Sequence, residues 1–325
     1  MKILVTGGAG YVGSELIPKL LSLNHEITAY DLMLYGNKTL NKNKNLKIIQ
    51  GDIRNQNLFK ENVKNHEAVI HLACISNDPS FELNPTLGKS INFDCFEPMV
   101  KISRDAGVKH FIYASSSSVY GIQDYKDVTE NLPLKPITDY SKFKADCEDI
   151  LLKYSTDNFI TTIVRPATVC GYSKRQRLDL VVNIFTNLAF HKREINIFGG
   201  KQLRPNIHIN DMCNVYIRIL ESSKDQVQSQ IFNAGYENKS LIDLADIVKE
   251  QIGSDVKTKI VKTNDERSYH ISSRKIMEIL DFKNQFTIKD AVSDLKEAFE
   301  TKKFINPLNN IDFYNIKKMQ SIDLE

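Results

Sequence analysis

The sequence lacks the features that mark disulfide-rich, zinc-binding, nucleic-acid-binding and membrane proteins. Its five cysteines are scattered over 325 residues with no Cys-x-x-Cys spacing, which indicates buried thiols in a reducing compartment rather than disulfides or metal ligands. The 43 basic and 40 acidic residues are interspersed and leave a net charge of +3, so no stripe of charge indicates a nucleic acid or a membrane as partner. The apolar run Ile3-Leu4-Val5 is too short for a signal peptide or a membrane span. We therefore expect a cytoplasmic protein without a metal site.

The first half of the chain alternates short apolar runs with helical patterns. Alternation of this kind predicts βαβ units, and runs that are almost continuously Val, Ile and Leu indicate strands covered on both faces. The predicted fold class is α/β, a doubly wound parallel sheet of the Rossmann type over residues 1–166. The strand-like runs are KILVTG (2–7), HEITAYD (25–31), LKIIQGD (46–52), AVIHLA (68–73), KHFIYAS (109–115) and ITTIVRP (160–166).

The pattern changes after residue 166. Longer helical segments, predicted over 176–192, 211–222, 240–252 and 288–301, are separated by short strand-like pieces such as INIFG and QIFNAG. We interpret residues 167–325 as a smaller, mixed α/β region that binds substrate and caps the sheet. The boundary between the two regions is expected to be interleaved rather than a clean cut.

A glycine-rich loop joins the first strand to an amphipathic helix predicted over 13–22. Gly7, Gly10 and Gly13, with Gly8 in an overlapping Gly-x-Gly-x-x-Gly pattern, allow a tight turn and a close approach of the backbone to a pyrophosphate. Asp31 ends the next strand, where a carboxylate accepts hydrogen bonds from an adenosine ribose and repels a 2′-phosphate. The pattern predicts NAD rather than NADP. The alternatives are a merely structural turn and a capping role for Asp31.

Tyr140 and Lys144 are four residues apart on a predicted helix and therefore share one face. Taken alone, such a pair is usually a solvated helix surface. A phenol titrates near pH 10, however, and we expect the Lys144 ammonium to lower the pKa of Tyr140 and to hold the nicotinamide ribose. A serine hydroxyl from the run Ser115–Ser118, at the carboxyl end of the preceding strand, would hold the reacting oxygen beside Tyr140.

Together these motifs resemble the extended short-chain dehydrogenase/reductases that act on nucleotide sugars. The resemblance covers almost the whole chain and implies that Ser116, Tyr140 and Lys144 are catalytic, whereas the other serines line the cleft or are structural. It also implies a set of cofactor contacts that adds the neighbours of the glycine loop and of two strand ends. The motifs are the glycine loop, Asp31, 51-GDIR-54, 71-HLAC-74, 115-SSSSVYG-121, Tyr140-x-x-x-Lys144 and 164-VRPATVCG-171. The implied cofactor residues are Gly7, Gly10, Tyr11, Val12, Gly13, Asp31, Asp52, Ile53, Leu72, Ala73, Tyr140 and Lys144.

The resemblance also implies how the second half binds a nucleotide-diphosphate sugar. Arg204 and Arg267 match positions that pair with phosphate, and Thr168 lies where the family contacts substrate, although Ala167-Thr168 replaces the Phe-Asn of galactose epimerases. The serines at 116–118 replace the Thr-Asp-Glu of 4,6-dehydratases, so dehydration is not expected. The closest branch acts in bacterial surface-polysaccharide pathways.

Three functions remain. NAD-dependent oxidation of carbon 4 of a nucleotide sugar, with GDP-linked heptose of capsule synthesis as the substrate, is favoured over 4-epimerisation by the same first half-reaction. A non-catalytic NAD-binding sensor is least favoured, since it has no use for Ser116, Tyr140 and Lys144 together. The resemblance further implies a homodimer, or a higher homo-oligomer, that assembles through the helix carrying Tyr140 and a helix near 92–106.

Overall fold

The computed structural model describes residues 1–36, 38–123, 125, 127–263 and 268–322. Its strands are β1 Lys2–Thr6, β2 Glu26–Asp31, β3 Leu46–Gln50, β4 Ala68–His71, β5 His110–Ala114, β6 Ile160–Pro166, β7 Thr168–Cys170, β8 Glu194–Phe198, β9 Leu203–His208, β10 Gln230–Ala234, β11 Glu237–Ser240 and β12 Lys257–Val261. Its helices are α1 Gly13–Ser22, α2 Gln56–Val63, α3 Asp78–Glu82, α4 Pro85–Lys89, α5 Phe96–Asp105, α6 Asp139–Lys153, α7 Val181–Lys192, α8 Ile209–Glu221, α9 Lys224–Val227, α10 Leu241–Ile252, α11 Arg274–Leu280, α12 Ile288–Glu300 and α13 Asn315–Ser321.

A seven-stranded parallel sheet in the order β10-β6-β5-β4-β1-β2-β3 forms the centre of the molecule. Alternate side chains of each strand point to opposite faces, so Ile3 and Val5 pack into one core and Leu4 into the other. Helices α1 and α8 cover the first face, and α2, α5 and α6 cover the second. The doubly wound parallel sheet predicted from the sequence is confirmed.

A second group of elements stands at the carboxyl end of this sheet. It contains a three-stranded sheet, β11-β9-β7, a two-stranded sheet, β12-β8, and a core in which α7, α10 and α12 pack together. The chain then returns to the main sheet, because β10 pairs in parallel with β6 along Gln230–Ala234. The division at residue 166 stays a prediction, and the edge strand β10 comes from the second half of the chain.

One helix begins later than its sequence pattern indicates. Helical spacing predicted a helix over 176–192, but α7 starts at Val181. The residues before it form a buried loop, in which the backbone N–H of Ser173 donates to Gln176 Oε1 at 2.8 Å. Arg175 and Arg177 are buried in the same loop, with 5% and 7% of their surface exposed.

Two further findings concern the chain as a whole. All five cysteine thiols are free, and four of them are buried. Within the described ranges, no helix combines the length and the apolar character needed to cross a membrane.

Candidate active site

A cavity of about 540 Å³ opens where the carboxyl ends of β1, β2, β4, β5 and β6 meet. Every candidate residue that the structure describes lines this one cavity, whether it was assigned to catalysis, cofactor or substrate. These residues are Gly7, Gly10, Tyr11, Val12, Gly13, Asp31, Asp52, Ile53, Leu72, Ala73, Ser116, Tyr140, Lys144, Thr168 and Arg204. Arg267, the second candidate phosphate ligand, lies outside the described residues.

The glycine loop folds so tightly that it has no room for a Cβ at Gly7 or Gly13. Gly7 has a φ of +71°, and a Cβ there would lie 2.7 Å from the backbone nitrogen of Ala73. A Cβ on Gly13 would lie 2.6 Å from the carbonyl oxygen of Gly7. The loop leads into α1, whose N-cap residue Val12 provides no side-chain hydrogen bond to the first turn. Backbone N–H groups at such a helix start are a ready site for phosphate, so the loop fits a dinucleotide.

The Asp31 carboxylate holds the loop as well as facing the cavity. Its Oδ2 accepts the Ala9 N–H at 3.0 Å, and its Oδ1 accepts the Met33 N–H at 2.7 Å. Burial raises the pKa of Asp31, while these two hydrogen bonds and the charge of Arg175 oppose the rise. The capping role considered as an alternative is therefore real, and contact with ribose, which the remaining oxygen lone pairs would allow, stays a prediction.

The other predicted cofactor contacts follow β3 and β4, on either side of β1 and β2 in the sheet. Asp52 is held by an ion pair with Arg54 at 2.7 Å, and the Tyr30 hydroxyl donates to its backbone carbonyl at 2.9 Å. Leu72 continues the ladder between β1 and β4, since its N–H donates to the carbonyl oxygen of Thr6 at 3.0 Å. These bonds fix the two strand ends at the wall of the cavity.

The candidate catalytic residues are brought together by α6 and the end of β5. A reciprocal capping box between Thr138 and Ser141 starts α6, and both Tyr140 and Lys144 are buried on its inner face. The Lys144 ammonium donates to the carbonyl oxygen of Ala114 at 2.7 Å and lies 5.9 Å from the centre of the Tyr140 ring. Ser116 follows β5, and its Oγ lies 2.8 Å from Ser118 Oγ.

The electrostatics of Tyr140 differ from the prediction. Burial raises the pKa of Tyr140 well above its ordinary value, and Cys74 and Asp78 add to the rise. The two strongest opposing influences are the charge of Arg177 and a hydrogen bond with Ser116. Lys144, expected to lower this pKa, is directed at the Ala114 carbonyl instead. Burial therefore favours the neutral form of Tyr140.

Ser115 belongs to a buried polar network rather than to the reacting group. Its hydroxyl donates to Glu148, four residues after Lys144 on α6, and Glu148 is paired with Arg165 of β6 at 2.6 Å. Arg165 Nη1 in turn donates to the Tyr120 hydroxyl at 2.7 Å. The network joins α6, which carries the candidate catalytic residues, to strand β6 of the central sheet.

At the other end of the cavity, residues of the second half line the wall. Thr168 begins β7 and pairs with Asn206 of β9. Arg204, also on β9, donates from Nη1 to the Leu203 carbonyl at 3.0 Å and stacks on Tyr269, with 5.2 Å between guanidinium and ring centre. Their position in the wall is compatible with the substrate roles predicted for them, which stay predictions.

Sequence reasoning missed a charged cluster that also lines the cavity. Arg175, Arg177 and Asp179 come from the buried loop before α7, and Asn315 from α13. The sequence pattern predicted a helix from residue 176, and none of these residues was assigned to the site. The one available signal was the density of charge in 174-KRQRLD-179 directly after a strand.

Comparisons with known proteins agree on one family. The profile described as "NAD dependent epimerase/dehydratase family" matches residues 3–235. The chain is 30% identical over 257 residues to a putative UDP-glucose 4-epimerase of Methanocaldococcus jannaschii, covering 77% of this chain and 82% of the relative. It is 28% identical over 246 residues to the human dTDP-D-glucose 4,6-dehydratase, covering 72% of this chain and 69% of the relative.

Solved structures show the same fold. The UDP-glucose 4-epimerase of Thermotoga maritima, solved with UDP-glucose, has a TM-score of 0.84 at 24% identity and covers 94% of this chain and 100% of its own. DesIV, a dTDP-glucose 4,6-dehydratase of Streptomyces venezuelae solved with NAD and TYD, has a TM-score of 0.84 at 22% identity, covering 95% and 100%.

Proposed function

This chain belongs to the NAD dependent epimerase/dehydratase family and uses NAD, and on that premise we propose that it oxidises the carbon-4 hydroxyl of a nucleotide-linked sugar. The proposed product is a 4-keto nucleotide sugar that leaves the enzyme. GDP-D-glycero-D-manno-heptose, on the way to a surface polysaccharide, is the proposed substrate. The observation that carries the proposal is the convergence of Ser116, Tyr140 and Lys144 in the cavity lined by the glycine loop.

The side chains divide the proton work between them. When bound, NAD supplies the acceptor for the hydride that leaves carbon 4. The Ser116 hydroxyl orients the reacting oxygen, and Tyr140 removes the proton of the carbon-4 hydroxyl after losing its own to solvent. Burial raises the pKa of Tyr140, and the charge of Arg177 and the hydrogen bond with Ser116 are the strongest influences that favour the reactive phenolate. Lys144 presents a buried ammonium beside the ring for the nicotinamide ribose.

The serine run argues against loss of water as the second step. Elimination across carbons 5 and 6 requires an acid and a carboxylate at the positions of Ser117 and Ser118, and a hydroxyl can serve as neither at neutral pH. Ser118 Oγ instead shares a hydrogen bond with Ser116 Oγ. We therefore favour a reaction that ends at the ketone, although relatives in the family include dehydratases.

A 4-epimerase is the second candidate, because several curated relatives carry that activity in their names. Epimerisation shares the oxidation and then requires the ketone to turn over within the cavity before reduction. The replacement of Phe-Asn by Ala167 and Thr168 in the cavity wall favours the dehydrogenase over the galactose type of epimerase. A sensor that only binds cofactor remains the least supported function.

Product analysis tests the proposal. Stoichiometric enzyme, NAD and GDP-D-glycero-D-manno-heptose are incubated in deuterated water, the sugar is followed by NMR, and NADH by absorbance. A ketone or its hydrate at carbon 4 with one equivalent of NADH is the expected result. An inverted alcohol at carbon 4 without net NADH would replace the dehydrogenase by the epimerase, and no change in the sugar under conditions where NAD binds would support the sensor.

A matched pair of variants assigns the chemistry to the site. Tyr140→Phe should retain NAD binding and lose turnover by about 10²–10⁴-fold, the usual contribution of a positioned base. Tyr154→Phe, which removes a hydroxyl bonded to Glu97 at the far end of the same helix, should retain turnover. Normal turnover of Tyr140→Phe would remove Tyr140 from the mechanism.

We also propose that the protein is a homodimer through α5 and α6. The two helices already lie side by side: Tyr154 donates to Glu97 Oε1 at 2.9 Å, and the Arg104 guanidinium lies 5.2 Å from the centre of the Tyr154 ring. Sedimentation equilibrium tests the assembly, and a strict monomer at micromolar concentration would contradict it.

A further inference from the structure

Arg175 is a buried cation in the wall of the cavity. Only 5% of its surface is exposed, yet no carboxylate among the described residues lies within salt-bridge distance of it. Its Nη2 donates to Asn315 Oδ1 at 2.7 Å. Among the described residues, the buried Nε of Arg175 has no hydrogen-bond partner, and Nη1 donates to no protein acceptor. Four of the five guanidinium N–H groups therefore lack an acceptor among the described residues, a costly state for a buried charge.

Arg177, two residues later in the same loop, shows that the loop can neutralise an arginine. It is equally buried, but its Nε pairs with Asp179 Oδ1 at 2.9 Å and its Nη1 donates to Ser76 Oγ at 3.0 Å. The same loop thus provides a carboxylate for Arg177, whereas no carboxylate among the described residues pairs with Arg175. Burial lowers the pKa of Arg175 to about 10, with Asp31 among the groups that oppose this, so the side chain is still a cation at neutral pH.

Arg175 is held rigidly at the cofactor end of the cavity. Its guanidinium lies 3.5 Å from the centre of the Tyr35 ring, and Asn315 fixes the other edge. Its backbone N–H donates to the hydroxyl of Ser14, in the first turn of α1, at 3.3 Å. The start of α1 is where the backbone offers N–H groups to phosphate, and Asp31 lines the cavity beside it.

From this geometry we propose that Arg175 binds the diphosphate of NAD and that Asn315 positions its guanidinium for that contact. A guanidinium presents parallel N–H groups that match two phosphate oxygens, and the bound anion would supply the charge and the acceptors that the protein does not. The substrate carries a diphosphate too. Arg175 contacts Ser14 and Tyr35, however, and Asp31 lines the same end of the cavity, so we assign the arginine to the cofactor. The inference does not depend on which reaction follows.

Calorimetry on the full chain, freed of bound nucleotide, tests the assignment. Arg175→Met should weaken NAD binding by about 10- to 100-fold, the usual range for a hydrogen bond to a charged group, without sugar nucleotide present. Arg175→Lys, which retains charge but not the fork, should be intermediate. Arg193→Met, at an exposed arginine paired with Asp255, is the control and should leave NAD affinity unchanged.

Thermal unfolding of the same nucleotide-free variants separates binding from a structural role. Removal of an unneutralised buried cation should leave the unfolding midpoint of Arg175→Met unchanged or higher, whereas NAD should raise that midpoint less than in the native protein. Unchanged NAD affinity of Arg175→Met would overturn the proposal. A lower unfolding midpoint of the nucleotide-free variant together with weaker NAD binding would also overturn it, because the arginine would then be structural. A loss of affinity for GDP in place of NAD would move the arginine to the substrate and equally overturn it.

Discussion

The buried ion pair between Glu148 and Arg165 fastens α6, the helix that carries Tyr140 and Lys144, to the central sheet, and its contribution to stability can be measured. Their side chains are 2% and 4% exposed, and two nitrogens of Arg165 donate to the carboxylate, at 2.6 Å from Nη2 and 3.0 Å from Nε. Ser115 and Tyr120 complete the network with one hydrogen bond each. Removal of one partner leaves the other charge buried in a protein interior, which usually costs about 3–5 kcal/mol.

Arg165→Met should therefore lower the free energy of unfolding by about 3–5 kcal/mol, measured by urea unfolding of the nucleotide-free protein with circular dichroism. The double variant Arg165→Met/Glu148→Leu removes both charges and should recover more than half of this loss, because a buried pair replaced by apolar side chains of similar size is often neutral. The effect comes from stranding a charge rather than from losing a contact.

An exposed pair provides the control. Arg274 and Asp127 are 66% and 48% exposed, so Arg274→Met should lower the free energy of unfolding by less than about 1 kcal/mol. A loss below about 1 kcal/mol for Arg165→Met, or a double variant that loses the sum of the two single variants, would refute the reasoning.

Two further predictions concern the glycine loop and the buried histidines. Gly13→Ala places a Cβ 2.6 Å from two backbone oxygens, so the loop must move. Loss of one hydrogen bond to the charged pyrophosphate weakens binding by about 10- to 100-fold, and calorimetry should show NAD binding weakened to that extent. Gly107→Ala, which meets no atom within 4 Å, should retain affinity. Burial lowers the pKa of His71 to about 3 and that of His110 to about 4, against about 6.5 in the unfolded chain. The unfolded state therefore binds more protons below pH 6.5, and each histidine should remove about 2 kcal/mol from the free energy of unfolding between pH 6.5 and pH 5. Urea unfolding at pH 7 and pH 5 measures this, and His110→Gln should reduce the loss by about half; an unaltered pH dependence in that variant would contradict the assignment.

Local sequence patterns predicted the central sheet and many of the residues that line the cavity. The ends of strands β1 to β6 lie within one or two residues of the ends of their apolar runs. A strand covered on both faces consists of consecutive Val, Ile and Leu, and this pattern is visible in a short stretch of sequence. The glycine loop and the spacing of Tyr140 and Lys144 are local as well, since a tight turn and one helix face each depend on residues a few positions apart. In a parallel sheet the carboxyl ends of strands meet at one edge, so the site could be located in advance.

The remaining features depend on residues that are far apart in the chain and meet in the folded protein. β10 completes the central sheet from the second half, and α7 begins at Val181, after a buried loop whose hydrogen bonds reach distant residues. Arg175 meets Asn315 across 140 residues, and neither has a local pattern that predicts the contact. The raised pKa of Tyr140 also depends on residues that are distant in the chain. Its main cause is burial by surrounding elements, and the ammonium four residues away, the neighbour visible in the sequence, is directed at the Ala114 carbonyl of another strand. Desolvation and long-range pairing are properties of the packed molecule, and no local sequence pattern encodes them.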